Sequence, residues 1–154
     1  CAKADIIVPN LTEAAFLLDE EYIGENYSQD YIETTLQKLS SLGAKKVVLS
    51  GVSLEKGKLG AAAFDSETGK ISYAFNDRVD GYFHGTGDVF GSTLLAALLN
   101  NFPLEEAAQI AVDYTHKCSL LTDRAELEKR FGVCFEKALP YLIKKLGLLD
   151  ESLL

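Results

Sequence analysis

Asp5-Ile6-Ile7-Val8-Pro9-Asn10-Leu11-Thr12-Glu13 is the stretch that decides the fold class of this 154-residue chain. The apolar run Ile6 to Val8 reads as a short buried strand. Pro9 stops it, and Leu11 to Leu18 carries helical spacing. Working outward, Glu20 to Gln29 reads as a polar loop and Asp30 to Leu42 as an amphipathic helix. Tyr31, Leu36, Leu39 and Leu42 lie largely on one face of that helix, and Gly43 stops it. Lys46 to Ser50 is the next strand. Ile6 to Ser50 therefore forms one βαβ unit, which implies parallel pairing with a right-handed crossover. Asn10 and Glu13 then sit at the carboxyl end of a parallel strand, the edge where open α/β sheets bind ligands. Asn followed three residues later by Glu is also a capping box, and that reading alone accounts for the pair. A cap can still be a ligand, because the Glu13 carboxylate keeps lone pairs for Mg²⁺ or its waters.

Further along, Gly51 to Gly60 reads as a mobile turn. Ala61 to Asp65 and Ile71 to Phe75 flank Ser66-Glu67-Thr68-Gly69-Lys70, a hairpin signal. Asp77 to His84 is a loop and Val89 to Asn100 a helix. Pro103 precedes a second helix, Leu104 to Leu121, with Glu105 and Glu106 placed for its dipole. Phe131 to Leu146 closes the pattern as one or two helices. No repeat, linker or low-complexity segment interrupts the chain, which reads as one domain or part of one.

His84-Gly85-Thr86-Gly87-Asp88 opens the apolar helix that follows. Two glycines around a threonine put several backbone N–H groups and a helix N-terminus at one spot, which makes an anion site. Gly85 and Gly87 let the backbone approach a phosphate closely. Thr86 adds a hydroxyl or only packs. Asp88 at the edge can accept a proton from an incoming hydroxyl, and an anion site beside a base is what phosphoryl transfer to an alcohol requires. The plainer reading of Asp88 is a first-turn acid that stabilises its helix by about 0.3–1 kcal/mol. No G-x-x-x-x-G-K-[S/T] loop is present, so phosphate capture falls to this helix N-terminus, aided by a metal.

Composition narrows the partners. With 47% hydrophobic residues the chain can bury a sizeable core. A formal charge of −8 argues against nucleic acid or anionic membranes. It does not argue against ATP, whose phosphates are met by local dipoles and Mg²⁺. Cys1, Cys118 and Cys134 have no C-x-x-C spacing and read as reduced, buried thiols rather than a disulfide framework or zinc site. No membrane span or signal peptide is visible, and a cytoplasmic location is expected. His84 reads as a loop or packing residue, and His116 and Lys117 as near solvent. Tyr114 and Val112 read as core. Asp19-Glu20-Glu21 and Asp123, Glu126 and Glu128 read as solvated surface.

P-N-L-T-E after a buried strand, with H-G-T-G-D opening a helix downstream, resembles the ribokinase-like superfamily of small-molecule kinases. Within it the chain is similar to the pyridoxal/pyridoxamine kinases. A-D-I-I-V-P-N-L-T-E-A matches the vitamin B6 kinase pattern around Asn10 and Glu13. The sugar-kinase branch typically shows D-T-x-G-A-G-D, whereas Gly81-Tyr82-Phe83-His84 stands before Gly85 here. Hydroxymethylpyrimidine-type kinases usually carry G-T-G-C, where this chain has Asp88. The resemblance implies an α/β fold, the C-terminal portion of a doubly wound, mainly parallel sheet flanked by helices, with a β-hairpin. It implies ATP-dependent phosphorylation of the hydroxymethyl group of a B6 vitamer. Asp88 would be the base, Gly85, Thr86 and Gly87 the anion site, Asn10 and Glu13 the Mg²⁺ site, and Ser50 a nucleotide-phosphate contact. A plain turn serine explains Ser50 as well. By resemblance, the loop Asn76 to Gly81 and the helix from Leu104 enclose the nucleotide.

Superfamily members are about twice this length, so the chain reads as a nucleotide-binding half. An open strand edge or an apolar face is then expected, and the fragment alone would be inactive. The full-length protein is expected to form a homodimer. The alternatives are another ribokinase-like kinase, acting on a hydroxymethylpyrimidine, sugar or nucleoside, and a non-catalytic nucleotide-binding fragment.

Overall fold

Strand β1 (Ile6–Ile7) runs into helix α1 (Leu11–Leu18), and helix α2 (Gln29–Ser40) leads to strand β2 (Lys46–Val52). The computed structural model describes residues 1–24, 26–125 and 132–149. β1 pairs parallel with β2, Ile6 opposite Lys46 and Ile7 opposite Val47, as the βαβ pattern requires. Strands β3 (Lys58–Asp65) and β4 (Lys70–Asp77) follow as antiparallel neighbours, giving an open sheet in the order β1-β2-β3-β4. The fold class is α/β, and this chain's share of the sheet mixes one parallel with two antiparallel pairings.

The chain divides into two compact units, Cys1–Arg78 and Val79–Leu154. In the first, α2 packs on β2 and β3, and α1 packs on α2 and β2. Ile32, Leu36 and Leu39 of α2 meet Val47, Leu49 and Val52 of β2 around Leu11, Ala14, Ala44 and Ala62. The i, i+4, i+7 spacing on the helix and the i, i+2 spacing of Val47 and Leu49 on the strand let one face of each element close on the other. One extra residue before Val52 returns that side chain to the same face. In the second unit, helix α3 (Thr86–Leu99) packs along helix α4 (Leu104–Arg124). Phe83, Val89, Tyr114, Cys118, Leu121 and Val133 form a cluster with Ala138, Tyr141 and Leu142. The last two belong to the short helix α5 (Leu139–Lys145).

The structure corrects several sequence expectations. Half of Gly51 to Gly60 is strand, and the turn is confined to residues 53–57: β2 runs on through Val52 and β3 begins at Lys58. The three glycines there do different work. Gly51 is the extra residue of a bulge between Ser50 and Val52, while Gly57 lies in the turn. Gly60 faces β4 so closely that a Cβ would fall 1.9 Å from the Ala74 carbonyl oxygen. Sheet pairing, not local propensity, set the outcome.

Helix α3 begins at Thr86 rather than Val89, so Gly-Thr-Gly-Asp is its first turn and not its approach. Asp19, Glu20 and Glu21 are exposed as expected, and Asp19 in addition ends α1 in a left-handed conformation with φ 54°. Cys118 is buried and Cys134 half-buried, but Cys1 is exposed. His116 and Lys117 are half-buried. Glu126, Glu128 and Phe131 lie outside the described residues.

Candidate functional site

The first unit gathers Asn10, Glu13 and Ser50 at the carboxyl ends of β1 and β2. Asn10 forms a parallel bridge with Ser50, so the strand pairing itself sets these side chains next to each other. The Asn10 carboxamide oxygen accepts from the Glu13 N–H at 2.9 Å, and Glu13 Oε2 accepts from the Asn10 N–H at 2.9 Å. The capping box expected from the sequence is therefore complete. Both side chains are exposed, and the cap occupies only one Glu13 oxygen. The Ser50 N–H donates to the Pro9 carbonyl at 2.9 Å, and its hydroxyl reaches the same oxygen at 3.4 Å. That second bond is long for O–H···O, so the hydroxyl is only loosely committed.

One free carboxylate oxygen beside an exposed amide suits Mg²⁺, which keeps several of its waters and takes one or two carboxylates. Among the described residues no group of three or more His, Cys, Asp or Glu could hold a metal. Any ion at Glu13 would draw its remaining ligands from water and phosphate.

The second unit carries Gly85, Thr86, Gly87 and Asp88. Gly85 caps α3 at φ 78°, a left-handed conformation that a side chain would strain. No side chain caps this helix. Its first intrahelical bond runs from the Val89 N–H to the Gly85 carbonyl at 3.1 Å, which leaves the N–H groups of Thr86, Gly87 and Asp88 ahead of the ladder. Gly85, Gly87 and Asp88 are exposed. The Thr86 hydroxyl donates to the Phe83 carbonyl at 3.3 Å. Thr86 thus offers a ligand its backbone N–H, while its side chain fastens the preceding loop.

α1 is closed by its own residues and α3 is left open. The residues read from the sequence thus stand as one set at β1 and β2 and another in the first turn of α3, each in its own unit. Tyr114 is 3% exposed and its hydroxyl donates to the Phe135 carbonyl at 2.9 Å. Burial pushes its pKa up and also raises the Cys118 thiol to about 11. Both are interior groups. Sequence reasoning passed over Tyr82, whose ring meets His84 edge to face at 5.0 Å between centroids. Its only sequence signal is the i, i+2 spacing of two aromatic rings just before the glycine turn.

A family profile described as Phosphomethylpyrimidine kinase matches residues 1–133. No curated protein matches the chain. Among solved structures, a Bacteroides thetaiotaomicron protein provisionally described as a phosphomethylpyrimidine kinase is 28% identical, with a TM-score of 0.86. The match covers 92% of this chain and 48% of that one. A second crystal form of that protein was solved with pyridoxal. Pyridoxal kinase from Lactobacillus plantarum is 27% identical with a TM-score of 0.79, over 92% of this chain and 50% of that one. An ADP complex of Bacillus subtilis pyridoxal kinase is 27% identical with a TM-score of 0.60, over 72% and 42%. The chain spans about half the length of the solved structures it matches.

Proposed function

Because the chain belongs to the phosphomethylpyrimidine kinase family, we propose that it supplies the nucleotide-binding half of a kinase domain. That domain transfers the γ-phosphoryl group of ATP to the hydroxymethyl group of pyridoxal, pyridoxine or pyridoxamine. The observation that carries the reading is the uncapped N-terminus of α3 with Asp88 in its first turn. The N–H groups of Thr86, Gly87 and Asp88 meet the transferring phosphoryl group, whose charge they stabilise without reorganising. The Asp88 carboxylate accepts the proton of the primary alcohol as its oxygen attacks. In a loose transition state that proton moves late, so placement counts for more than basicity.

Glu13, with Asn10 holding its carboxylate in place, would bind Mg²⁺ through waters, and Ser50 would contact a nucleotide phosphate. When bound, the ion neutralises charge on the phosphates. Support for a B6 vitamer comes from the pyridoxal kinases above 25% identity, from the pyridoxal-bound crystal form, and from Asp88 standing where hydroxymethylpyrimidine-type kinases usually carry cysteine. A second reading keeps the chemistry and changes the acceptor to a hydroxymethylpyrimidine, which the family's description favours. Initial rates with the two acceptors decide between them.

Asp88→Asn tests the shared step. Asn keeps the shape but accepts no proton, so turnover in the complete kinase domain is expected to vanish while Mg-ATP binding stays near normal. Phosphorylation of pyridoxal at close to the unmutated rate would remove Asp88 as the base.

A further inference from the structure

The segment just before the glycine turn is fixed in place and presents two aromatic rings outward. Tyr82, Phe83 and His84 alternate: Phe83 packs inward against the cluster of Tyr114, Cys118, Val133 and Ala138, while Tyr82 and His84 are exposed. Two hydrogen bonds hold the backbone there. The Phe83 carbonyl accepts from the Thr86 hydroxyl at 3.3 Å, and the His84 carbonyl accepts from the Val133 N–H at 3.2 Å. Tyr82 and His84 meet at 83°, edge to face, the arrangement that ring quadrupoles favour.

Tyr82 remains 77% exposed. A lone exposed aromatic needs no explanation. This one belongs to a pair in a segment anchored at the Phe83 and His84 carbonyls, directly ahead of the α3 N-terminus. Ordering the pair costs entropy, and its apolar faces stay in water unless something planar covers them.

We infer that Tyr82 and His84 form the platform for the acceptor ring, a planar nitrogen heteroaromatic bearing the hydroxymethyl group, and so select against non-aromatic alcohols. The inference rests on the kinase reading. Two rings could use such a platform, the acceptor's or the adenine. The acceptor ring lies one methylene from the hydroxyl that reacts beside Asp88. The adenine is separated from the transferring phosphoryl group by a ribose and two further phosphates. Only three residues, Gly85, Thr86 and Gly87, stand between His84 and Asp88, so the nearer ring is the one that reaches the pair. His84 adds ring nitrogens that can donate or accept at substituents of a pyridine or pyrimidine. Tyr82 adds the stacking face.

Saturation-transfer NMR on the chain, with pyridoxine and the ATP analogue AMP-PCP as separate probes, tests this. The single ring proton of pyridoxine and its methyl protons are expected to receive saturation from tyrosine ring protons. Tyr82→Leu should weaken pyridoxine binding about tenfold, whereas Tyr82→Phe retains it, as stacking requires. AMP-PCP affinity should stay unchanged in both variants. Tyr82→Leu lies at an exposed position, and an unchanged melting temperature shows that the loss is local. Absent pyridoxine binding, or binding indifferent to Tyr82→Leu, overturns the platform. Weakened AMP-PCP binding in Tyr82→Leu assigns the ring to adenine and overturns it too. If the unmutated chain binds pyridoxine but not AMP-PCP, the kinase reading itself fails, a result separate from the others.

Discussion

At Gly87 an added methyl group would meet no atom within 4 Å, and the residue stands second in α3. Nothing in the fold therefore demands glycine, which in a helix interior costs about 1 kcal/mol relative to alanine. The empty space is what a phosphate needs to reach the backbone. Gly87→Ala is accordingly expected to raise the melting temperature by about 1–3 °C and to weaken AMP-PCP binding about tenfold, a drop in affinity worth 1.4 kcal/mol. Thermal melts and nucleotide titration check both halves. Unchanged affinity would mean that no phosphate approaches there.

Gly85, Gly87 and Asp88 were legible in the sequence because each residue type has a local meaning beside a helix start. The tie between the Thr86 hydroxyl and the Phe83 carbonyl was not, because it depends on how the loop doubles back. The pairing of Tyr82 with His84 was hidden for the same reason: an irregular backbone has no period to read.

Among the elements, the contrast between the helix starts of α1 and α3 is the informative one. The capping box of α1 satisfies two of its own N–H groups, so a change at Glu13 touches both stability and any bound ion. Glu13→Gln separates the two. Glutamine retains a capping oxygen but loses the charge that attracts a cation, so activity should require more Mg²⁺ while the melting temperature falls little. A lower melting temperature with an unchanged Mg²⁺ response would leave Glu13 as a cap alone. The capping box and the bounds of α1 were legible because side chain and backbone meet within four residues. Strand lengths were less so. Gly51 and Gly60 read as turn residues, yet a bulge takes one and close approach of β4 takes the other. Both facts belong to the partner strand and leave no trace nearby in the sequence.

At the scale of the molecule, the sheet ends at β1, whose outer edge pairs with no described strand. Beside that edge lies a groove of about 450 Å³ lined by Cys1, Ile7, Val8, Pro9, Glu13, Phe16 and Leu17, with Phe16 81% exposed. An uncovered parallel edge next to an apolar groove is uncommon in globular proteins. The chain alone is expected to self-associate in sedimentation and to release no ADP in the presence of pyridoxal. Addition of a separately expressed N-terminal half should restore turnover. Pyridoxal-dependent ADP release by the chain by itself would show that it needs no second half. The open N-terminus of α3 has one more consequence, in ionic strength. A nucleotide approaches a protein that carries a formal charge of −8, so distant repulsion slows the encounter, and added salt relieves it beyond a Debye length of about 8–10 Å. The donors that finally hold the phosphate are neutral N–H dipoles in contact with it, which salt screens far less. Capture through α3 should therefore quicken as salt rises, opposite to a site built from lysines.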